Sequence, residues 1–212
     1  SKSALHKVLE FCKKEDILVI MDTCFRAYNH QSFDDYRMIL DSGVSHCIIE
    51  DTGKTWPTQE IKISPIIMSN DMYTDLHNIY TDFFLHISPF AIRFMILFLK
   101  QSQEDKLAHI RSVVDTNMLY LKSALSGSKL ELHDSASSIG WAELNSDKVS
   151  VIELKKMLDE KGVNVLPGDK FYWHDNQKGQ NYIRIALTRS KDVFQNSCKI
   201  IRSVLEENNL MA

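Results

Sequence analysis

The sequence predicts an open α/β sheet in its first half and a separate α+β unit in its second, on three observations. Short continuous apolar runs at residues 17–21 and 47–49 are spaced by amphipathic segments, and such runs suit parallel strands buried on both faces. A long amphipathic stretch then ends in the small, polar hinge Ser126-Gly127-Ser128. Beyond that hinge the pattern turns to short alternating strands around a helix.

Taken in order, Ala4, Leu5, Val8, Leu9 and Cys12 recur at helical spacing. They predict an amphipathic helix over 3–14 with Lys7, Lys13 and Lys14 on its polar face. The run 17–21 is the first strand and ends at Asp22. Residues 32–40 form a helix capped by Ser32, with Asp34 and Asp35 in its first turn and Gly43 closing it. The second strand, 47–49, runs into Glu50-Asp51-Thr52-Gly53-Lys54-Thr55-Trp56-Pro57. There small residues and a glycine set one lysine on a tight turn, and Pro57 stops an immediate helix. A third strand covers 61–68 and a helix 71–84.

From Pro89 an amphipathic pattern through Ile92, Met95, Leu99, Leu107, Ile110, Val114, Met118 and Leu121 continues to about 125, with a break near 101–105. The domain division expected is 1–100, a linking helix over 101–128, and 129–212. In the last part, 130–132 and 141–144 alternate as half-buried strands, 151–160 is a helix ended by Gly162, and 163–166 is a strand entering Pro167-Gly168. A strand at 182–187 and a helix at 190–207 close the chain. Arg184 stands between Ile183 and Ile185, so it faces away from them. Phe171, Tyr172 and Trp173 read as core residues, with a place beside a substrate as the alternative.

Composition narrows the function. The 212 residues carry a formal net charge of -3 with both signs interspersed, which leaves no basic footprint for nucleic acid and no basic amphipathic helix for a membrane surface. The most lipid-like segment, 83–99, is interrupted by His86, Pro89 and Arg93, and no leader is expected at the start. Cys12, Cys24, Cys47 and Cys198 are far apart with no CxxC, so they read as reduced core residues of a cytoplasmic protein. The eight histidines are scattered, and no metal site is expected.

In an open α/β sheet, ligands gather at the carboxyl ends of the strands. Asp22 and Lys54 both stand just past such ends, which sets a carboxylate and an amine on one rim. A structural ion pair, or two unrelated loop residues, is the alternative.

A strand ending in Asp22, a strand entering Gly53-Lys54 with a second cation at Lys62, a long linking helix, and Pro167-Gly168 followed by Tyr182-Ile183-Arg184-Ile185-Ala186 together resemble the class I/II aminotransferases of the fold-type-I pyridoxal-phosphate enzymes. The resemblance spans nearly the whole chain. It implies the C-terminal part of an aspartate-aminotransferase-like large domain plus an α+β C-terminal small domain. It implies pyridoxal 5'-phosphate as cofactor, with amino-acid and keto-acid small molecules as partners. By the same resemblance Lys54 holds the cofactor as a Schiff base and moves the substrate α-proton, and Asp22 faces the pyridine nitrogen. Lys62 meets the phosphate where the family usually has arginine, and Arg184 binds the substrate carboxylate. A lysine amine titrates near ~10.4 in the open, so a catalytic role requires burial or positive neighbours to lower it.

Two residues depart from the family's pattern. Phe25 stands where a tyrosine normally bonds the ring oxygen, with Tyr28 close by in sequence. Asp51 stands where a serine commonly binds phosphate, leaving Thr52 or Thr55 as substitutes. Only one helix precedes residue 17, and three strands cannot cover both faces of an apolar sheet. The expectation is therefore a C-terminal half, completed covalently or by another chain, with a homodimer formed through the full-length parent. Elimination, decarboxylation or oxidation at the α-carbon is the alternative on the same fold, and a non-catalytic interaction domain is the other.

Overall fold

The computed structural model describes residues 1–211 apart from 29–32, 57, 59, 62, 85, 106, 135 and 136. Two units divide the chain, Ser1–Leu107 and Ala108–Ala212.

In the first unit, α1 (Lys2–Lys14) starts at Ser1, whose hydroxyl accepts from the Ala4 N–H. Strand β1 (Val19–Asp22) follows, then α2 (Asp35–Ser42). The Asp34 carboxylate caps α2 by accepting from the Arg37 N–H. Ser32, the cap expected from sequence, lies outside the described residues. Gly43 ends α2 in the left-handed region at φ 69°, a conformation that glycine adopts without steric cost. Strand β2 (His46–Ile49) pairs parallel to β1.

Strand β3 (Ile66–Met68) pairs antiparallel to β2, giving the order β1-β2-β3. The strand expected over 61–68 is thus shortened and reversed relative to a purely parallel sheet. The cause is local. Both backbone groups of Ile63 bond Thr52 rather than a strand partner, and Pro65 has no N–H to give to a ladder.

The core of this unit is Leu9, Val19, Ile39, Val44 and Ile48, with Leu5, Met21 and Ile67 packed against it. These side chains come from α1, α2 and one face of the sheet. On the opposite face Cys47 is buried, but Ile20 is 64% and Ile66 47% exposed. The expected burial of both faces therefore does not extend to the edge strands within this unit. Helices α4 (Asn70–Phe83) and α5 (Pro89–Asp105) complete it.

The amphipathic pattern from Pro89 resolves into α5 and α6 (Ala108–Leu125), with Leu107 between them at a φ of 62°. In the second unit β4 (Leu130–His133), β5 (Ile139–Leu144), β6 (Leu166–Pro167) and β7 (Tyr182–Ala186) form an antiparallel sheet in the order β4-β5-β7-β6. Helix α7 (Val151–Glu160) opens with a capping box between Ser150 and Glu153, and α8 (Lys191–Glu207) closes the fold.

Leu121, Leu130, Ala142, Leu154, Ile183 and Ile201 are buried together in this unit's core. Gly140 lets α6 lie on the sheet, because a Cβ there would meet the Leu121 side chain at 2.7 Å. Asn117, fully buried on α6, donates to the Leu187 and Arg189 carbonyls at 2.7 and 2.8 Å. Those bonds tie the helix to the chain leaving β7.

Among the described residues no helix is long and apolar enough to cross a membrane, and no group of three His, Cys, Asp or Glu side chains could hold a metal ion.

Candidate active site

The acid comes first. β1 ends at Asp22, and the chain turns so that the Cys24 N–H donates to Asp22 Oδ1 at 3.0 Å. The Cys24 thiol lies close enough to the same carboxylate to interact with it. The contacts from Cys24 hold Asp22 below the usual carboxyl range; burial opposes them, and the positive charge of Lys54 adds the weakest lowering influence. Asp22 is thus kept ionised. Cys24 shows the converse: burial first, then the Asp22 carboxylate, raises its thiol from 9.0 to about 11.

Asp22 pairs in register with Ile49, and the Thr23 N–H and hydroxyl both donate to the Ile49 carbonyl, at 2.9 and 3.0 Å. The two parallel strand ends are therefore stitched together where the site begins. After Glu50 the chain forms α3 (Thr52–Thr55), a single helical turn, with Asp51 as its cap accepting from the Gly53 N–H at 2.9 Å. This is a small departure from the sequence reading, in which Pro57 stops any helix at once. Pro57 lies outside the described residues, and Trp56 before it is extended, as a residue before proline should be.

Lys54 sits in α3 with its side chain exposed. No carboxylate pairs with it among the described residues, yet its charge is felt by both Asp22 and Cys24. Its backbone is held from across the rim: the Tyr28 hydroxyl donates to the Lys54 carbonyl at 2.7 Å. Tyr28 is buried in a short 3-10 helix, Arg26–Tyr28, that continues the Asp22 loop. Burial pushes its phenol up, so it stays a donor.

A polar network braces this rim. Arg26 grips the buried Asp35 carboxylate through Nε and Nη2, both at 2.9 Å, and lies over the Tyr36 ring at 4.2 Å. The Tyr36 hydroxyl bonds Glu50 and shares a 2.8 Å hydrogen bond with Thr23. Burial, and then Glu50, raises the Tyr36 phenol.

The second unit carries a different surface. Along β7, Ile183 and Ile185 are buried while Tyr182 and Arg184 face the other way, half-buried. Trp141 is the register partner of Arg184 and stacks on Tyr182 with centroids 5.5 Å apart. Trp141 also meets Phe171 edge-on at 5.6 Å, and the Arg184 guanidinium lies 5.6 Å from the Phe171 ring centroid. No carboxylate pairs with Arg184 among the described residues. Close passage of Gly168 and Gly179, whose backbones leave no room for a Cβ, folds the aromatic loop onto this face. Phe171 is 47% and Trp173 91% exposed, so the core role read for them from sequence is not what they fill.

The structure thus brings Asp22 and Lys54 to one rim of the first unit. Phe25 lies in the same loop, half-buried, and has no polar atom to offer. The Thr52 hydroxyl is buried and accepts from the Ile63 N–H at 2.8 Å, so it braces the turn. Lys62 lies outside the described residues. Arg184 stands on the aromatic face of the second unit. Sequence reasoning missed Cys24, taken for core, and the role of Tyr28. A cysteine two residues past the acid was the available clue to the first.

No protein-family model and no curated protein sequence matches the chain. Solved structures do. One, MppP soaked with the product 2-ketoarginine, is 28% identical with a TM-score of 0.88, over 97% of this chain. LysN, the alpha-aminoadipate aminotransferase of Thermus thermophilus, is 14% identical with a TM-score of 0.84, over 99%. The aromatic aminotransferase of Pyrococcus horikoshii is 16% identical with a TM-score of 0.83, over 100%. The chain spans only 59%, 55% and 57% of those three chains.

Proposed function

We propose that this chain, which has the fold of a little over half of a pyridoxal-phosphate-dependent aminotransferase, carries the acid, the amine and the carboxylate receptor of such an enzyme. The observation that carries the reading is the rim of the first unit, where an ionised Asp22 and a Lys54 with no carboxylate partner among the described residues follow the carboxyl ends of two paired parallel strands. An anion and a free amine there suit a group with a protonated ring nitrogen at one end and an aldehyde at the other.

When bound, pyridoxal phosphate supplies an electron sink for charge developing on the substrate α-carbon. Asp22 holds the proton on the ring nitrogen through its own negative charge. Lys54 would hold the cofactor through Nζ at rest, and as a free amine that Nζ would take the proton from the substrate α-carbon and give it to the carbon of the cofactor that carried the aldehyde. Because the Lys54 side chain is exposed in this unit, the burial that a basic amine needs must come from whatever covers it. Arg184, backed by Phe171 and with no carboxylate partner among the described residues, binds the substrate carboxylate with two parallel N–H bonds. Lys62 meets the phosphate as a point charge, joined by the Thr52 or Thr55 hydroxyl; the Thr52 hydroxyl accepts from the Ile63 N–H and keeps its own proton to donate, while Asp51 already occupies the Gly53 N–H. The free cysteines fit a cytoplasmic setting, and the working enzyme is a homodimer of the longer parent.

A second reading is another α-carbon chemistry, oxidation above all. Phe25 favours it by removing the hydroxyl expected at the ring oxygen. The 28%-identical neighbour was soaked with the product 2-ketoarginine, a keto acid that transamination and oxidation would both yield, and this brings guanidino amino acids into the substrate class considered. Adding pyridoxal phosphate to the enzyme completed by the part that covers Lys54 should produce a visible absorbance band that Lys54→Ala lacks. Absence of that band in the completed wild-type enzyme would end both readings. Where the band forms, consumption of a keto-acid acceptor along with the amino acid marks transamination, and its survival marks elimination, decarboxylation or oxidation, of which oxidation alone consumes an oxidant such as dioxygen.

A further inference from the structure

We infer that Tyr28 is the positioning residue for Lys54, an inference that rests on the proposed role of Lys54. A one-turn helix is poorly determined by its own bonds, because nucleation fixes several dihedrals for very few hydrogen bonds. In α3 those bonds are the Lys54 N–H to Asp51, the Trp56 N–H to Thr52 and the Asp51 cap. The last carbonyls of any helix lack an internal partner. Here the carbonyl of the lysine itself receives its bond from Tyr28, 26 residues away in sequence, at 2.7 Å.

The geometry links the two reactive groups. Tyr28 terminates the same loop that begins at Asp22, and its ring is 5% exposed, so the phenol has little freedom to wander. The loop is itself anchored at Cys24 on Asp22, at Thr23 on the Ile49 carbonyl and at Arg26 on Asp35. A rigid acid-bearing loop therefore sets where the backbone under the amine sits. Without the phenol, Asp22 stays in place while the turn bearing Lys54 is held only from its own side of the rim. Displacement of a reacting atom by about an ångström can cost up to about a hundredfold in rate.

The test is competitive trapping. The enzyme completed by the part that covers Lys54 is incubated with limiting pyridoxal phosphate and cyanoborohydride. A lysine amine condenses with the aldehyde and loses water, hydride from the reductant then saturates the C=N bond, and peptide mass spectrometry ranks the lysines labelled. In the wild type Lys54 is labelled ahead of the other lysines. In Tyr28→Phe its initial labelling rate falls by about tenfold toward theirs, with the ring and the far-ultraviolet circular dichroism kept. Tyr36→Phe, which loses a tyrosine hydroxyl bound to Glu50 and Thr23 on the same rim, leaves the Lys54 preference intact. Replacement of Tyr28 by 4-aminophenylalanine, a donor of the same shape, restores the preference, and this variant decides the matter if Tyr28→Phe does not fold. Undiminished Lys54 preference in Tyr28→Phe, equal loss in both phenylalanine variants, or no recovery with the amino analogue overturns the role of Tyr28. Lack of Lys54 preference in the wild type overturns instead the function on which the inference rests.

Discussion

Asp22→Asn should make Cys24 more reactive, and the effect can be worked from the structure without any cofactor. The Cys24 thiol is raised from 9.0 to about 11 by burial, by its contact with Asp22, and by the charges of Asp22 and Asp51, with Lys54 pulling the other way. A rise of that size lowers the thiolate fraction below the titration by about a hundredfold. Greater nucleophilicity of the more basic thiolate returns about tenfold, so alkylation should run about tenfold slower than at an unperturbed cysteine. Asparagine at position 22 removes the charge while burial remains, so the rate should climb part of the way back, by a factor of a few. Lys54→Met should move it the opposite way, because one lowering influence is lost. Iodoacetamide alkylation read by peptide mass spectrometry over a range of pH measures both. Equal rates in wild type and Asp22→Asn, or the same direction of change in the two variants, would refute the placement of Cys24 within reach of both charges.

Three further outcomes follow from the same coordinates. Arg184→Lys keeps the charge but loses the planar fork and the seat on Phe171, so steady-state kinetics of the full-length parent should show KM for the amino acid raised about tenfold with kcat less affected. Asn117→Ala abandons the buried Leu187 carbonyl and the part-buried Arg189 carbonyl and leaves a cavity, which should cost about 2–4 kcal/mol in urea unfolding followed by circular dichroism. Asp22 and Asp71 lie below their ordinary 3.8 and Glu153 below its ordinary 4.5, through hydrogen bonds from Cys24, Ser45 and Ser150 respectively. The folded state thus binds fewer protons than the unfolded one. Their stabilisation is present above those ordinary values and fades as pH falls through the lower folded ones, so ellipticity should be flat at neutral pH and fall below about pH 4.

Much of this was legible because the chemistry of a sheet rim constrains sequence directly. An apolar strand that ends in Asp22, and another that enters Gly53-Lys54, already put acid and amine at the same end of the sheet, and alternation around Arg184 already turned it away from Ile183 and Ile185. What stayed hidden is tertiary. Nothing in the local pattern says that a phenol at Tyr28 will cross to the Lys54 carbonyl, or that Thr52 will claim both backbone groups of Ile63 and so cut the third strand short. The aromatic loop misled for a related reason. Hydrophobic spacing cannot distinguish rings that fill a core from rings such as Phe171 that stand on a sheet face beside an arginine.

The central claim is that Asp22 and Lys54 grip opposite ends of one pyridine ring, and the structure of the full-length parent with the reduced pyridoxal adduct fixed on Lys54 tests it most directly. The account predicts the ring nitrogen within about 2.7–2.9 Å of an Asp22 oxygen, as for a charge-assisted hydrogen bond. An adduct on Lys54 whose ring nitrogen faces solvent or another residue, with Asp22 still bonded only to Cys24, would contradict it.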